Sequence, residues 1–172
     1  MFWFWLLAAV VVIFGFVVFR GAPYVPSRKK ELIAAFDELY PLSEKDVLVD
    51  IGSGDGIVLR EAAKRHARAI GYELNPLLVI ISRFLSRRQP LVETYLADFW
   101  FVSLPPETTV VYVFGESRDI TKMVNKVADE AQRLKKPLAF ISYGFAVPNL
   151  MPVKKTGAYY LYQLSPLQID EA

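Results

Sequence analysis

The run Asp50-Ile51-Gly52-Ser53-Gly54-Asp55-Gly56 sets glycines and carboxylates side by side directly after a short β-branched stretch. Glycines let a backbone turn sharply and approach a ligand closely, because no Cβ stands in the way. Glu73 follows about twenty residues later, the interval at which an acidic side chain ending a second strand accepts hydrogen bonds from both hydroxyls of a ribose. Leu74 and Asn75 continue that strand end. Asp98 stands beside Phe99 and Trp100, and a carboxylate with neighbouring rings suits the amino group and flat face of an adenine. The same rings serve equally as packing residues, as does Tyr24. A dinucleotide fingerprint would place a third glycine or alanine three residues after the second, to pack helix on strand beside a pyrophosphate. Position 57 is Ile57, and Asp50 and Asp55 bring negative charge where a pyrophosphate would be repelled. The pattern favours an adenosine carrying a cationic amino-acid end, the chemistry of S-adenosylmethionine (SAM).

Such residues need elements that bring them to one edge, and the remaining periodicity supplies them. Val47 to Ile51, Ala69 to Leu74, Val92 to Ala97, Val110 to Phe114 and Leu138 to Tyr143 are short apolar runs that read as strands. Between them, amphipathic stretches reach His66, run from Pro76 to about Arg88, and extend from Ile120 to Leu134 with apolar residues at helical spacing. Alternation of this kind predicts a doubly wound α/β fold with a mostly parallel sheet. Val153 to Leu164 reads as one or two further strands with no helix between, hence an antiparallel edge. In such sheets ligands bind beyond the carboxyl ends of the strands, where Gly52, Glu73 and Asp98 all fall.

The front of the chain has a different character. Met1 to Phe19 contains no charged residue, and as a helix it would be roughly 28 Å long, close to the hydrocarbon thickness of a bilayer. Arg20, Arg28, Lys29 and Lys30 follow, so the positive-inside bias predicts a single-pass, uncleaved anchor (residues 1–20) with the remainder on the cytoplasmic side. Residues 21–40 read as a Pro-punctuated connector and a lid helix from about Arg28 to Tyr40, capped by Ser27, and residues 41–172 as the catalytic-sized domain. The formal net charge of +2 carries no nucleic-acid signature, so no nucleic-acid partner is expected. With no cysteine and His66 as the single histidine, no disulfide, thiolate nucleophile or multi-histidine metal site is available, and no metal is expected.

Taken together, Pro23-Tyr24-Val25-Pro26-Ser27, the glycine loop, Gly71-Tyr72-Glu73-Leu74-Asn75-Pro76 and Asp98-Phe99-Trp100 resemble the membrane-associated class I lysine methyltransferases that modify ATP synthase c-subunit and adenine nucleotide translocase. The resemblance spans nearly the whole chain. It implies a Rossmann-like class I methyltransferase sheet and SAM as cofactor. Asp50, Gly52 and Gly54 would line the methionine end, Glu73 the ribose and Asp98 the adenine, with Tyr24 in a lid above and Ser53, Asp55, Gly56, Leu74, Asn75 and Phe99 as further cofactor-binding positions. Glu116, just past the fourth strand, takes the acceptor-side position and is the catalytic candidate. The absence of an Arg- and Ser-rich transit sequence points to a bacterial inner-membrane protein. The expected reaction is methylation of a lysine on a membrane-protein partner at the bilayer surface. A lipid or quinone-like acceptor and a non-catalytic SAM-binding scaffold are the alternatives.

Overall fold

A computed structural model describes residues 1, 3–5, 29–114 and 119–166. The predicted anchor, the Tyr24 connector with its Ser27 cap, and Glu116 fall mainly or wholly outside these residues. Among the described residues no helix is long and apolar enough to cross a membrane.

The elements in chain order are α1 (Lys29–Ala34), a π-helical turn (Ala35–Leu39), β1 (Val47–Ile51), α2 (Ile57–Ala63), β2 (Arg68–Glu73), α3 (Pro76–Leu85), β3 (Val92–Leu96), a 3-10 turn (Phe99–Phe101), β4 (Val110–Phe114), α4 (Ile120–Leu134), β5 (Leu138–Tyr143), β6 (Lys154–Thr156) and β7 (Tyr159–Leu164). They build one seven-stranded sheet in the order β3-β2-β1-β4-β5-β7-β6. Strands β1 to β5 are parallel, while β7 runs antiparallel to β5 and to β6. The mixed sheet with an antiparallel edge is the architecture read from the sequence. The order reverses at β1, which has β2 on one side and β4 on the other, so the crevice beyond Ile51 and Phe114 is the topological switch point.

Strand alternation sorts the core into two layers. Val49, Ile51, Val111 and Val113 face α4, which buries Ile120, Val124, Val127 and Ala131 against them. Leu48, Val110 and Tyr112 face the other way, onto Leu32 and Phe36 of the first helical segment and Val58, Leu59 and Ala62 of α2. These side chains are buried to 7% exposure or less, and the larger aliphatic and Phe side chains are each worth about 1.5–3 kcal/mol of hydrophobic stabilisation before entropy is subtracted.

Three helices end earlier or differently than their periodicity predicts. After α2, the chain reverses through His66 at φ +63°, and the Ala67 N–H returns to the Ala62 carbonyl, so the helix closes at Ala63 rather than His66. Helix α3 stops at Leu85, not near Arg88. The helix expected from about Arg28 to Tyr40 continues past Ala34 only as a π turn, from which the Tyr40 N–H donates to the Ala35 carbonyl.

Gly71, in the middle of β2, is where the glycine loop rests on the sheet. A Cβ there would lie 2.4 Å from Ser53 Oγ, 2.6 Å from Ser53 Cβ and 2.7 Å from Leu59 Cδ1. Gly71→Ala is therefore expected to force the loop outward and to destabilise the fold by about 1–3 kcal/mol, read as a lower urea midpoint. An unchanged midpoint would show that the loop accommodates a methyl group freely.

Candidate functional site

Strands β1, β2 and β3 each deliver one acidic residue, Asp50, Glu73 and Asp98, to the same edge. Asp50 lies inside β1, one residue before its end, and is 2% exposed. Its Oδ2 is buried without a hydrogen-bond partner. Burial, and then the nearby carboxylates of Glu73 and Asp55, push the Asp50 carboxyl well above the usual aspartate range. A buried acid left in this state is costly unless a cation meets it.

The loop after β1 is held by the neighbouring strand. Gly52 and Ser53 N–H groups both donate to the Tyr72 carbonyl, at 2.9 and 3.2 Å. Gly52, Gly54 and Gly56 adopt φ +72°, +55° and +80°, the left-handed region in which a side chain is strained. Two of them have further reasons to be glycine. Nothing lies within 4 Å of a Cβ built on Gly52, which leaves open space for a close ligand approach. A Cβ on Gly56 would meet Ser82 Oγ at 2.2 Å, so this glycine lets α2 and α3 pack. Ser53 Oγ, like Asp50 Oδ2, is buried with no partner.

Glu73 clamps the loop to the next helix. Its Oε2 accepts from the Gly54 N–H at 2.9 Å and its Oε1 from the Asn75 N–H at 2.7 Å. A carboxylate offers about four acceptor positions, so two remain for a ligand's hydroxyls. Asn75 in turn caps α3, its Oδ1 accepting from the Leu77 N–H at 3.0 Å, with Pro76 at the first helical position. Leu74 is half-buried between them. The Ala97 N–H donates to the Glu73 carbonyl at 3.1 Å, which brings the end of β3, and Asp98 after it, beside the clamp.

The structure thus unites Asp50, Gly52, Ser53, Gly54, Glu73, Leu74 and Asn75. Three other candidates have additional or different occupations. Asp55, read as charge for the ligand, pairs with Arg60 at 3.2 Å and accepts from the Ile57 N–H at 3.1 Å, so Asp50 is the loop's uncompensated carboxylate. Asp98 caps the 3-10 turn by accepting from the Trp100 N–H at 3.0 Å. Phe99 is buried in the core, with Lys126 Nζ 5.2 Å from its ring centre, whereas Trp100 and Phe101 are the exposed rings there. Tyr24 and Glu116 lie outside the described residues. Among the described residues no group of acidic and histidine side chains is arranged to hold a metal ion.

On the opposite side of the switch point, at the carboxyl ends of β4 and β5, the rings of Phe114 and Tyr143 meet edge to face at 5.1 Å, and Tyr143 stacks on Tyr159 at 4.4 Å. The Tyr143 hydroxyl donates to Glu31 of α1 at 3.0 Å. This aromatic wall with a carboxylate at its edge escaped the sequence reading, because Glu31 is 112 residues from Tyr143 and nothing local announces their meeting. Gly71 left a faint signal: a glycine inside an otherwise apolar strand marks close approach of another segment.

Comparison with known proteins agrees with this geometry. The model of the ANTKMT methyltransferase domain matches residues 50–154. The chain is 35% identical over 133 residues to the ATP synthase c-subunit lysine N-methyltransferase of Xenopus laevis, covering 76% of this chain and 56% of that protein. It is 33% identical over 138 residues to the Homo sapiens protein of the same name, covering 78% and 57%. It therefore spans a little over half the length of these curated relatives. Among solved structures, an RNA methyltransferase from Salinibacter ruber in complex with S-adenosyl-L-homocysteine superposes with a TM-score of 0.70 at 26% identity, covering 86% of this chain and 98% of that one. A glycine loop clamped by Glu73, an unpartnered acid at the switch point and a match over residues 50–154 lead to one conclusion: the chain belongs to the ANTKMT methyltransferase domain family.

Proposed function

We propose that this chain is a SAM-dependent methyltransferase that modifies a lysine side chain of a membrane protein at the bilayer surface. The observation that carries the reading is the buried, unpartnered carboxylate of Asp50 beside the open space over Gly52. The residues present fit the cofactor: Asp50 and Ser53 would take its cationic methionine end, Glu73 its ribose and Asp98 its adenine. The cofactor supplies a methyl group on a sulfonium, already activated for in-line displacement. What the protein adds is position and exclusion of water. A lysine acceptor needs help, since its ordinary pKa of about 10.4 leaves little free amine at neutral pH. The aromatic wall of Phe114 and Tyr143 would desolvate and orient the amine, and desolvation favours its neutral form, with the Glu31 carboxylate at the wall's edge. Glu116 is kept as the acceptor-side candidate on its sequence position alone.

The lysine and the membrane-protein acceptor are supported by the curated relatives, which are named for methylating ATP synthase c-subunit. A location on the cytoplasmic side of a membrane is supported by the uncharged run Met1–Phe19 and the basic residues after it. The likeness to an RNA methyltransferase favours RNA as a second reading.

Membranes and RNA from a deletion strain, incubated with the full chain and methyl-labelled cofactor, separate these readings. Label on a protein lysine, visible as the mass increment of a methyl group in the peptide, is the expected result. Label in RNA or in extracted lipid would replace the lysine reading, and no label anywhere would leave a SAM-binding scaffold.

A further inference from the structure

Helix α3 turns an apolar face to the solvent. Its inner side, Val79 and Ser82, is buried, and Ser82 Oγ meets Thr94 Oγ1 of β3 at 2.8 Å. Its outer side carries Leu77, Ile80, Ile81, Phe84 and Leu85, with Ile80 and Phe84 each 63% exposed. Leu96, two residues after Thr94 on the edge strand and hence on the same face of the sheet, is 56% exposed. A helix whose outer stripe is this apolar is unlike an ordinary solvated surface helix.

Charge identifies what covers it. From Pro76 to Leu91 there is no acidic residue, while Arg83, Arg87 and Arg88 are all exposed near the helix's carboxyl end. The Arg87 guanidinium lies 4.4 Å from the centre of the Phe84 ring and donates to the Phe84 carbonyl at 2.9 Å, so cation and apolar ring are presented together. Apolar side chains along a helix with arginines at one end match an acyl layer beneath anionic headgroups.

We infer that the outer face of α3 docks onto an anionic lipid bilayer, independently of the uncharged run at the front of the chain. The inference rests on the membrane-surface reading above. Because α3 starts at Pro76, directly after its cap Asn75, whose N–H binds Glu73, docking it holds the Glu73 end of the site close to the lipid surface.

The absence of cysteine makes the test clean. Ile80→Cys and Phe84→Cys, with Asn125→Cys on α4 as the control, are labelled with an environment-sensitive fluorophore in the full chain. Each is mixed with vesicles of equal parts phosphatidylcholine and phosphatidylglycerol, or of phosphatidylcholine alone, containing nitroxide-labelled lipid. The expected result is a blue shift and quenching at positions 80 and 84, not at 125, in the anionic vesicles. Arg87→Glu with Arg88→Glu should lower the docked fraction roughly tenfold or more. Vesicle flotation, run in parallel, separates the two readings. A chain that floats with the vesicles but is not quenched at 80 and 84 overturns the docking face alone, whereas a chain that does not float overturns the membrane-surface reading as well. A blue shift without nitroxide quenching means that protein covers the face, and equal quenching in neutral vesicles or in the Arg-to-Glu variant removes the role of charge. Either result sinks the inference.

Discussion

Glu73→Gln, a change of one atom, is expected to abolish measurable SAM binding and to destabilise the chain even without cofactor. Each carboxylate oxygen of Glu73 accepts a buried backbone N–H, one from Gly54 and one from Asn75. Glutamine has a single acceptor oxygen. Whichever way its amide is turned, its NH2 faces one of those two donors, leaving a buried N–H unsatisfied at a cost of about 1–3 kcal/mol. That donor is either in the glycine loop or at the start of α3, so the defect opens the site itself. In the proposed reading the same side chain also accepts the ribose hydroxyls. Losing charge-assisted bonds worth about 1.5–3 kcal/mol each lowers affinity by about a hundredfold or more. Thermal denaturation of the full chain checks the first effect and calorimetric titration with SAM the second. A Gln variant that melts with the parent yet fails to bind would mean that Glu73 serves the ligand alone; one that also binds like the parent would remove Glu73 from the site.

How much of this was readable beforehand depends on the range of the interaction. Strands such as Val110–Phe114 and the helix Ile120–Leu134 declare themselves through local apolar periodicity, and the parallel sheet follows from their alternation. Glu73 and the glycine loop were legible because the βαβ unit fixes their separation. Helix ends were not: the reversal at His66 uses a non-glycine residue at positive φ, a conformation that only a few per cent of such residues adopt. The fate of Asp55 was also hidden, because Arg60 sits five residues on and could equally face solvent. Nor does composition distinguish Phe99, packed inward, from Trp100, which stays exposed. These depend on which side of a turn faces the core, and that is decided only when the layers pack.

Asp50→Asn should reverse the usual relation between stability and binding, making the free chain sturdier and the complex weaker. Burial and the neighbouring Glu73 and Asp55 raise the Asp50 carboxyl well above its ordinary range. In the pH window between an unfolded aspartate, about 3.9, and that raised value, the folded chain holds a proton that the unfolded chain releases. Stability contributed by this residue is therefore greatest at the acid end of the window and falls as pH rises through it, with the full penalty of a buried charge above. Asparagine titrates nowhere and carries no charge, so the variant is expected to melt higher than the parent at neutral pH, with the difference vanishing below the ordinary aspartate range. Binding has the opposite sign. A cationic ligand end favours ionised Asp50, so the parent should take up SAM more tightly as pH rises through the raised value and should release a proton on binding below it. A neutral amide supplies neither effect: the Asp50→Asn variant should bind about ten- to a hundredfold more weakly and lose this pH dependence, the loss of one charged hydrogen-bonding partner. Titration calorimetry at several pH values, in two buffers of different ionisation enthalpy, counts the proton directly. Parent and variant showing the same affinity and the same proton count would mean that the cation lies elsewhere, and with it the methyl group that Asp50 is proposed to position.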